Sequence, residues 1–281
     1  AKGIEVPNII VLKHAFHGRS IATLSATGNP SVRADFSPYT EGFIFVDESD
    51  LDGIRKIVEE NKNVVAIFFE PILGEGGVVP IDLSVIKGIR EICDEHDLLM
   101  MCDEVQCGMG RSGKWFAHQW AEIKPDVITM AKGLAGGVPV GAVIVSEKAN
   151  IFKPGNHGST FGGNPLAMRA ALETLSIIED EKLVENALEV GKKLKKALSK
   201  SLNGFPGVRG IRGKGLMLGI VLDRDAHDIL ELGLKAGLTF SVTAGNVIRL
   251  VPALTITEAE ADELVKRITP VIRSFLAQPK I

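Results

Sequence analysis

Short, unbroken apolar runs alternate along this chain with longer stretches in which apolar residues recur every three or four positions. The runs Asn8–Leu12, Val64–Phe69, 98–103, Val127–Met130 and 141–145 show no polar alternation. That pattern predicts strands buried on both faces of a parallel sheet. Between them, 50–61 predicts a helix with Leu51, Ile54, Ile57 and Val58 on one face and Ser49 or Asp50 as its cap. A second helix is expected over 83–96, leading into the run that ends at Asp103. Further helices are expected over 165–179 and 182–202, the latter rich in Lys and Glu. Gly204-Phe-Pro-Gly207 then breaks the chain, and strands near 215–222 and 247–251 precede a closing helix over 258–276.

Alternating strands and helices imply right-handed crossovers and a mostly parallel sheet covered on both faces, an α/β architecture. The break after residue 202 divides the chain into a large domain, 1–202, and a small C-terminal α+β domain, 203–281. No internal repeat or low-complexity tract is visible.

Two charged residues stand out against this frame. Asp103 ends the run Leu98-Leu-Met-Met-Cys-Asp103, and Lys132 follows Asp126-Val-Ile-Thr-Met-Ala131, each with glycines just beyond it. Ligands of parallel sheets bind beyond the carboxyl ends of the strands, where both charges are expected. A buried lysine facing a buried carboxylate suits pyridoxal phosphate chemistry, with an amine for the Schiff base and an acid for the pyridinium nitrogen. On its own the pair reads equally as a structural ion pair or a lysine that snorkels to solvent.

Composition narrows the alternatives. The chain has 281 residues, long enough for a sizeable core, and its 45% hydrophobic content argues against disorder. Net charge is −3 with both signs interspersed, so neither nucleic acid nor anionic lipid is an expected partner, and no apolar run reaches the length of a membrane span. Cys93, Cys102 and Cys107 have neither CxxC nor zinc-ligand spacing and read as reduced thiols of a cytoplasmic protein. Nothing supplies Cys107 with a base, so it is not expected to be a nucleophile, and no metal is expected.

Six segments carry more information than their parts: His14-Ala-Phe-His-Gly-Arg19, Glu70-Pro-Ile-Leu-Gly-Glu-Gly-Gly77, Asp103-Glu-Val-Gln106, Ala131-Lys-Gly133, Asn156-His-Gly-Ser-Thr-Phe-Gly-Gly-Asn-Pro165 and Ile248-Arg-Leu-Val-Pro252. In this order and approximate spacing they resemble the class III aminotransferases, which have the fold-type I architecture of pyridoxal phosphate enzymes. The likeness spans nearly the whole chain and is closest to the acetylornithine aminotransferases, with the ornithine aminotransferases next. One departure concerns a Ser/Thr-Gly-Ala/Thr turn that binds the cofactor phosphate in a segment preceding these motifs. It has no counterpart here, since the nearest run, Ala22-Thr-Leu-Ser-Ala-Thr-Gly28, follows Arg19. The family's N-terminal segment is therefore expected to be missing, and the phosphate cup stays unassigned.

The resemblance implies the following roles. Lys132 and Asp103 are the catalytic pair, with pyridoxal 5'-phosphate as cofactor. Phe16, which alone would read as a core phenylalanine, stacks on one face of the pyridine ring and Val105 packs on the other. Gln106 approaches the ring hydroxyl, and Glu104 is also placed at the cofactor unless its carboxylate turns away. His17 reads as structural, because the lysine already serves as base. Arg19 holds a substrate carboxylate, and Arg249 pairs with Glu75 until a second carboxylate replaces that partner. Ser159 lies near the substrate, and Thr160 reaches the cofactor phosphate of a neighbouring subunit, making the enzyme a homodimer with shared sites. The implied reaction moves the terminal amine of N2-acetylornithine to 2-oxoglutarate, in arginine biosynthesis. The alternatives are another class III donor (ornithine, succinylornithine or 4-aminobutyrate) or a fragment of the fold that has lost activity.

Overall fold

The computed structural model describes residues 3–279. The first part of the chain runs β1 (Asn8–Leu12), α1 (Ile21–Ala26), α2 (Pro30–Arg33), β2 (Phe43–Val46), α3 (Leu51–Glu60), β3 (Val64–Phe69), the short hairpin of β4 (Ile72–Leu73) and β5 (Val79–Pro80), α4 (Leu83–Glu95), β6 (Leu99–Asp103), β7 (Val127–Met130) and β8 (Ala142–Val145). These strands form a six-stranded sheet in the order β2-β1-β3-β6-β7-β8, parallel except for the antiparallel edge strand β8. The apolar runs named above become its five central and edge strands. The sixth, β2, is the apolar run Phe43-Ile-Phe-Val46 between polar turns, which is not among those runs.

Two amphipathic helices close one face. Ile54 and Val58 of α3 and Ile86, Ile89, Ile92 and Cys93 of α4 share a buried cluster with Ile10, Leu12, Ile67, Phe69, Met100 and Cys102 of the strands. Asp50 is the cap of α3, its Oδ1 accepting from Gly53 N at 2.9 Å. Strand register then decides where the chemistry lies. Phe69 pairs with Cys102, and Asp103 pairs with Thr129. Glu70, Asp103 and Thr129 therefore come out side by side at the carboxyl ends of three adjacent strands.

The second part comprises α5 (Pro165–Asp180), α6 (Leu183–Leu202), β9 (Val208–Lys214), β10 (Met217–Leu222), α7 (Ile229–Lys235), β11 (Ser241–Thr243), β12 (Val247–Leu250) and α8 (Glu258–Ala277). Its four strands make an antiparallel sheet in the order β11-β12-β10-β9. A Thr257–Glu260 capping box opens α8. Ala187, Val190, Leu194, Leu198 and Leu202 of α6 belong to the same buried cluster as β10, β12 and α8. We propose that the C-terminal unit begins with α6, whereas a division after residue 202 assigns this helix to the large domain. Among the described residues no helix is long and apolar enough to cross a membrane.

Gly191 shows how closely α6 packs on this sheet. A Cβ there would lie 2.1 Å from the carbonyl oxygen of Gly215, in the turn between β9 and β10. Gly→Ala inside a helix ordinarily gains about 1 kcal/mol. Here backbone meets backbone, and relieving the overlap should cost roughly 1–3 kcal/mol or more. Gly191→Ala is expected to lower the thermal unfolding midpoint, and a raised midpoint in calorimetry would contradict this packing.

Candidate active site

The loops beyond the carboxyl edge of the large sheet build the site. Asp103 is 5% exposed, and both of its oxygens are engaged. Its Oδ1 accepts from Val105 N and from Thr129 Oγ1, each at 3.1 Å, and Oδ2 lies 2.8 Å from Nδ1 of His17. A carboxylate only accepts, which places the bridging proton on Nδ1. The His17 side chain is fully buried and stacks on Phe68, with centroids 4.0 Å apart, while its Nε2 is buried with no partner among the described residues. His17, read from sequence as structural and not as a base, orients the acid through this contact.

Lys132 follows β7 and opens a short turn with φ of +45°. It reaches the same edge as Asp103, as its position beyond a neighbouring strand requires. The expectation of a buried lysine is corrected, since Lys132 is exposed and lies at the mouth of a cavity. That cavity, about 300 Å³, is also lined by Val105, Gln106, Glu75, Arg249 and Arg111.

Glu75 and Arg249 meet across the two units at 2.6 Å. Gln106 sits between them, its Nε2 donating to Glu75 Oε1 at 3.3 Å and its Oε1 accepting from Arg249 Nη1 at 2.9 Å. Arg249 Nε donates to Ser241 Oγ at 3.0 Å. Burial pushes the Glu75 carboxyl upward, but Arg249 and then Gln106 outweigh it and hold the group below the usual carboxylate range.

Phe16 and Arg19 line a second cavity, which shares Glu75 with the first. The Arg19 guanidinium lies 5.7 Å from the Phe16 ring centroid, and its hydrogen bond from Nη1 to Val32 O is long at 3.4 Å. Ser159 and Thr160 are not brought to this site. Both are exposed and line neither cavity, and Ser159 Oγ accepts from Gly162 N at 2.9 Å within its own loop.

Glu104 is a correction to the sequence reading. It is 1% exposed and faces away from the cavity, accepting from Ala117 N (2.9 Å), His118 N (2.8 Å) and the Cys107 thiol (3.2 Å), with His118 Nδ1 at 2.9 Å. A buried carboxylate settles where its donors are, and the turn at Ala117–Ala121 supplies them. Burial, then Glu104, pushes the Cys107 thiol well above its ordinary range, so it serves as a proton donor and not as a nucleophile.

Sequence reading also passed over Glu70. Its carboxylate is 4% exposed and accepts from Phe16 N at 2.8 Å and Gly74 N at 3.0 Å. Burial pushes it up to about 8, against the pull of the Phe16 amide. Its neighbourhood also contains Asp103, which raises it further, and Lys132, which lowers it.

The donor set fits a flat, aldehyde-bearing pyridine cofactor. A buried acid with its orientation fixed, a primary amine beyond the adjoining strand and an aromatic ring on a neighbouring loop are what such a group needs. Comparison with known proteins agrees. The family described as Aminotransferase class-III matches residues 2–272. Acetylornithine aminotransferase 1 of Bordetella bronchiseptica is 48% identical over 272 residues, covering 96% of this chain and 69% of that protein. The ornithine aminotransferase of Toxoplasma gondii superposes with a TM-score of 0.92 at 32% identity, over 96% of this chain and 66% of that one. N-acetylornithine aminotransferase from Stenotrophomonas maltophilia gives a TM-score of 0.80 at 33% identity, over 97% of this chain and 67% of that one. The chain thus spans about two thirds of the length of these relatives. It belongs to the class III aminotransferases, which are pyridoxal phosphate enzymes.

Proposed function

We propose that this protein transfers the terminal amino group of N2-acetylornithine to 2-oxoglutarate, giving N-acetylglutamate semialdehyde and glutamate, a step of arginine biosynthesis in the cytoplasm. The observation that carries this reading is the Glu75–Arg249 pair on the wall of the cavity that Lys132 enters. A donor with no carboxylate at that position leaves the pair closed. Glutamate brings a second carboxylate, for which Arg249 can exchange Glu75 without a charge being left unpaired. The names borne by the curated relatives support the same donor.

Pyridoxal phosphate, when bound, supplies an aldehyde carbon for the amino group and a ring that accepts electrons. Lys132 Nζ would carry the proton from the substrate carbon to the carbon that receives the amino group. Asp103, fixed by His17, Thr129 and the Val105 amide, holds a proton on the ring nitrogen. Phe16 and Val105 would confine the ring from opposite faces, and Arg19 would hold the donor's carboxylate.

Steady-state rates with acetylornithine, ornithine, succinylornithine and 4-aminobutyrate, each paired with 2-oxoglutarate, test the assignment. Acetylornithine should give the highest kcat/KM, and a clear preference for another donor would replace it. In Glu75→Gln, Arg249 loses its anionic partner. Glutamate should gain relative to acetylornithine in kcat/KM, by roughly 3- to 10-fold for a partly buried pair. An unchanged ratio would remove the pair from the specificity argument.

The active site is proposed to be completed by a second copy of the chain. Phe161 is 81% exposed beside Thr160, and Phe152 is 71% exposed on the same loop, more apolar surface than this short segment would leave to water. With Thr160 serving the neighbouring subunit, mixing inactive Thr160→Asp and Lys132→Ala chains creates one intact site per heterodimer. Activity should return on subunit exchange, up to about half the sites of the heterodimer fraction. Absence of recovery, with exchange verified by native mass spectrometry, would confine Thr160 to its own subunit or exclude it from the site.

A further inference from the structure

Two loops that the proposed chemistry needs in fixed relation leave the sheet from different strands. Residues 13–19 follow β1 and present Phe16, and residues 70–78 follow β3 and present Glu75. Glu70 touches both. One oxygen accepts from the Phe16 amide at 2.8 Å and the other from the Gly74 amide at 3.0 Å. The Gly74 turn in turn packs on Gln106, so closely that a Cβ on Gly74 would lie 2.3 Å from Gln106 Oε1. Gln106 is the side chain seated between Glu75 and Arg249. A continuous path therefore runs from the Phe16 backbone through one carboxyl group to the Glu75–Arg249 pair.

We propose that Glu70 is a positioning residue that couples the cofactor-stacking loop to the substrate-selecting loop, each of its two oxygens holding the backbone of one of them. This rests on the roles proposed above for Phe16 and Glu75. The chemistry of the group explains why a carboxyl is used. Two backbone N–H donors approach it, one per oxygen, so both ends must accept. A glutamine there would turn its NH2 toward one of the donors and leave that buried N–H unsatisfied. Neither loop amide lies in a regular helix or strand, so Glu70 replaces the ladder bonds these segments lack. The charged or titratable groups acting on it are Asp103, Lys132 and the Cys107 thiol. Burial pushes the acid up to about 8, so it is neutral below that pH and ionised above it, where both amide bonds become charge-assisted.

Two experiments test the coupling. In the wild-type protein, the amide protons of Phe16 and Gly74 followed by NMR should titrate together with one midpoint near 8, because one group serves both. In Glu70→Gln, pyridoxal phosphate affinity measured by spectroscopic titration should weaken by roughly 3- to 10-fold. The glutamate-to-acetylornithine ratio of kcat/KM should rise over a similar range, with cooperative thermal unfolding retained. Separate midpoints for the two amides, or a change in only one of cofactor affinity and donor ratio, would overturn the proposal. If the variant does not fold, the wild-type titration decides alone. If the wild-type protein does not accept acetylornithine, the donor assignment falls, and the amide titration and cofactor affinity still judge Glu70.

Discussion

A carboxylate taken out of water at the end of a strand costs several kcal/mol unless donors surround it, and the site is organised around that condition at Asp103. Three separate segments meet it: His17 from the loop after β1, Thr129 from β7 and the Val105 amide from the turn that follows β6. Satisfying one acid therefore fixes three pieces of backbone. Two of them carry Phe16 and Val105, the side chains proposed to enclose the ring. The parallel register makes this possible, because it delivers Glu70, Asp103 and Thr129 to one edge of the sheet.

The second requirement is that the C-terminal unit sit correctly on the first, since Arg249 belongs to β12 and Glu75 to the loop after β3. Arg111 contributes a second tie. Its carbonyl accepts from Leu216 N at 3.0 Å, and its Nη1 donates back to Leu216 O and to Pro252 O, three residues beyond Arg249. Among the described residues no acidic partner is involved, and burial pushes its guanidinium down to about 10. A planar guanidinium can serve two carbonyls at once in a way that an ammonium on a flexible stem does not.

Much of this arrangement was readable from residues, and the failures have physical causes. Continuous apolar runs bounded by turn residues identified the sheet, because a strand buried on both faces has no freedom to alternate. Asp103 and Lys132 were legible because each follows such a run with a charge, whereas Glu75 and Arg249 were legible only through the motifs that carry the resemblance. Glu104 was misplaced because adjacent side chains on an extended segment point to opposite sides, and sequence alone does not say which one finds donors. Glu70 was passed over, and the partner of His17 was not foreseen, for a related reason: their roles are hydrogen bonds to residues 54 and 86 positions away. The burial of Lys132 was overestimated because its strand is apolar on both sides, whereas the residue itself stands past the strand's end at a cavity mouth.

The central claim is that the amine serving the cofactor is the one that the register brings beside Asp103. Reduction of the pyridoxal phosphate-loaded protein with borohydride, followed by peptide mass spectrometry, tests it most directly. The account predicts one pyridoxyl group per chain, on Lys132. A label on a different lysine, or one spread over several surface lysines with Lys132 unmodified, would contradict it.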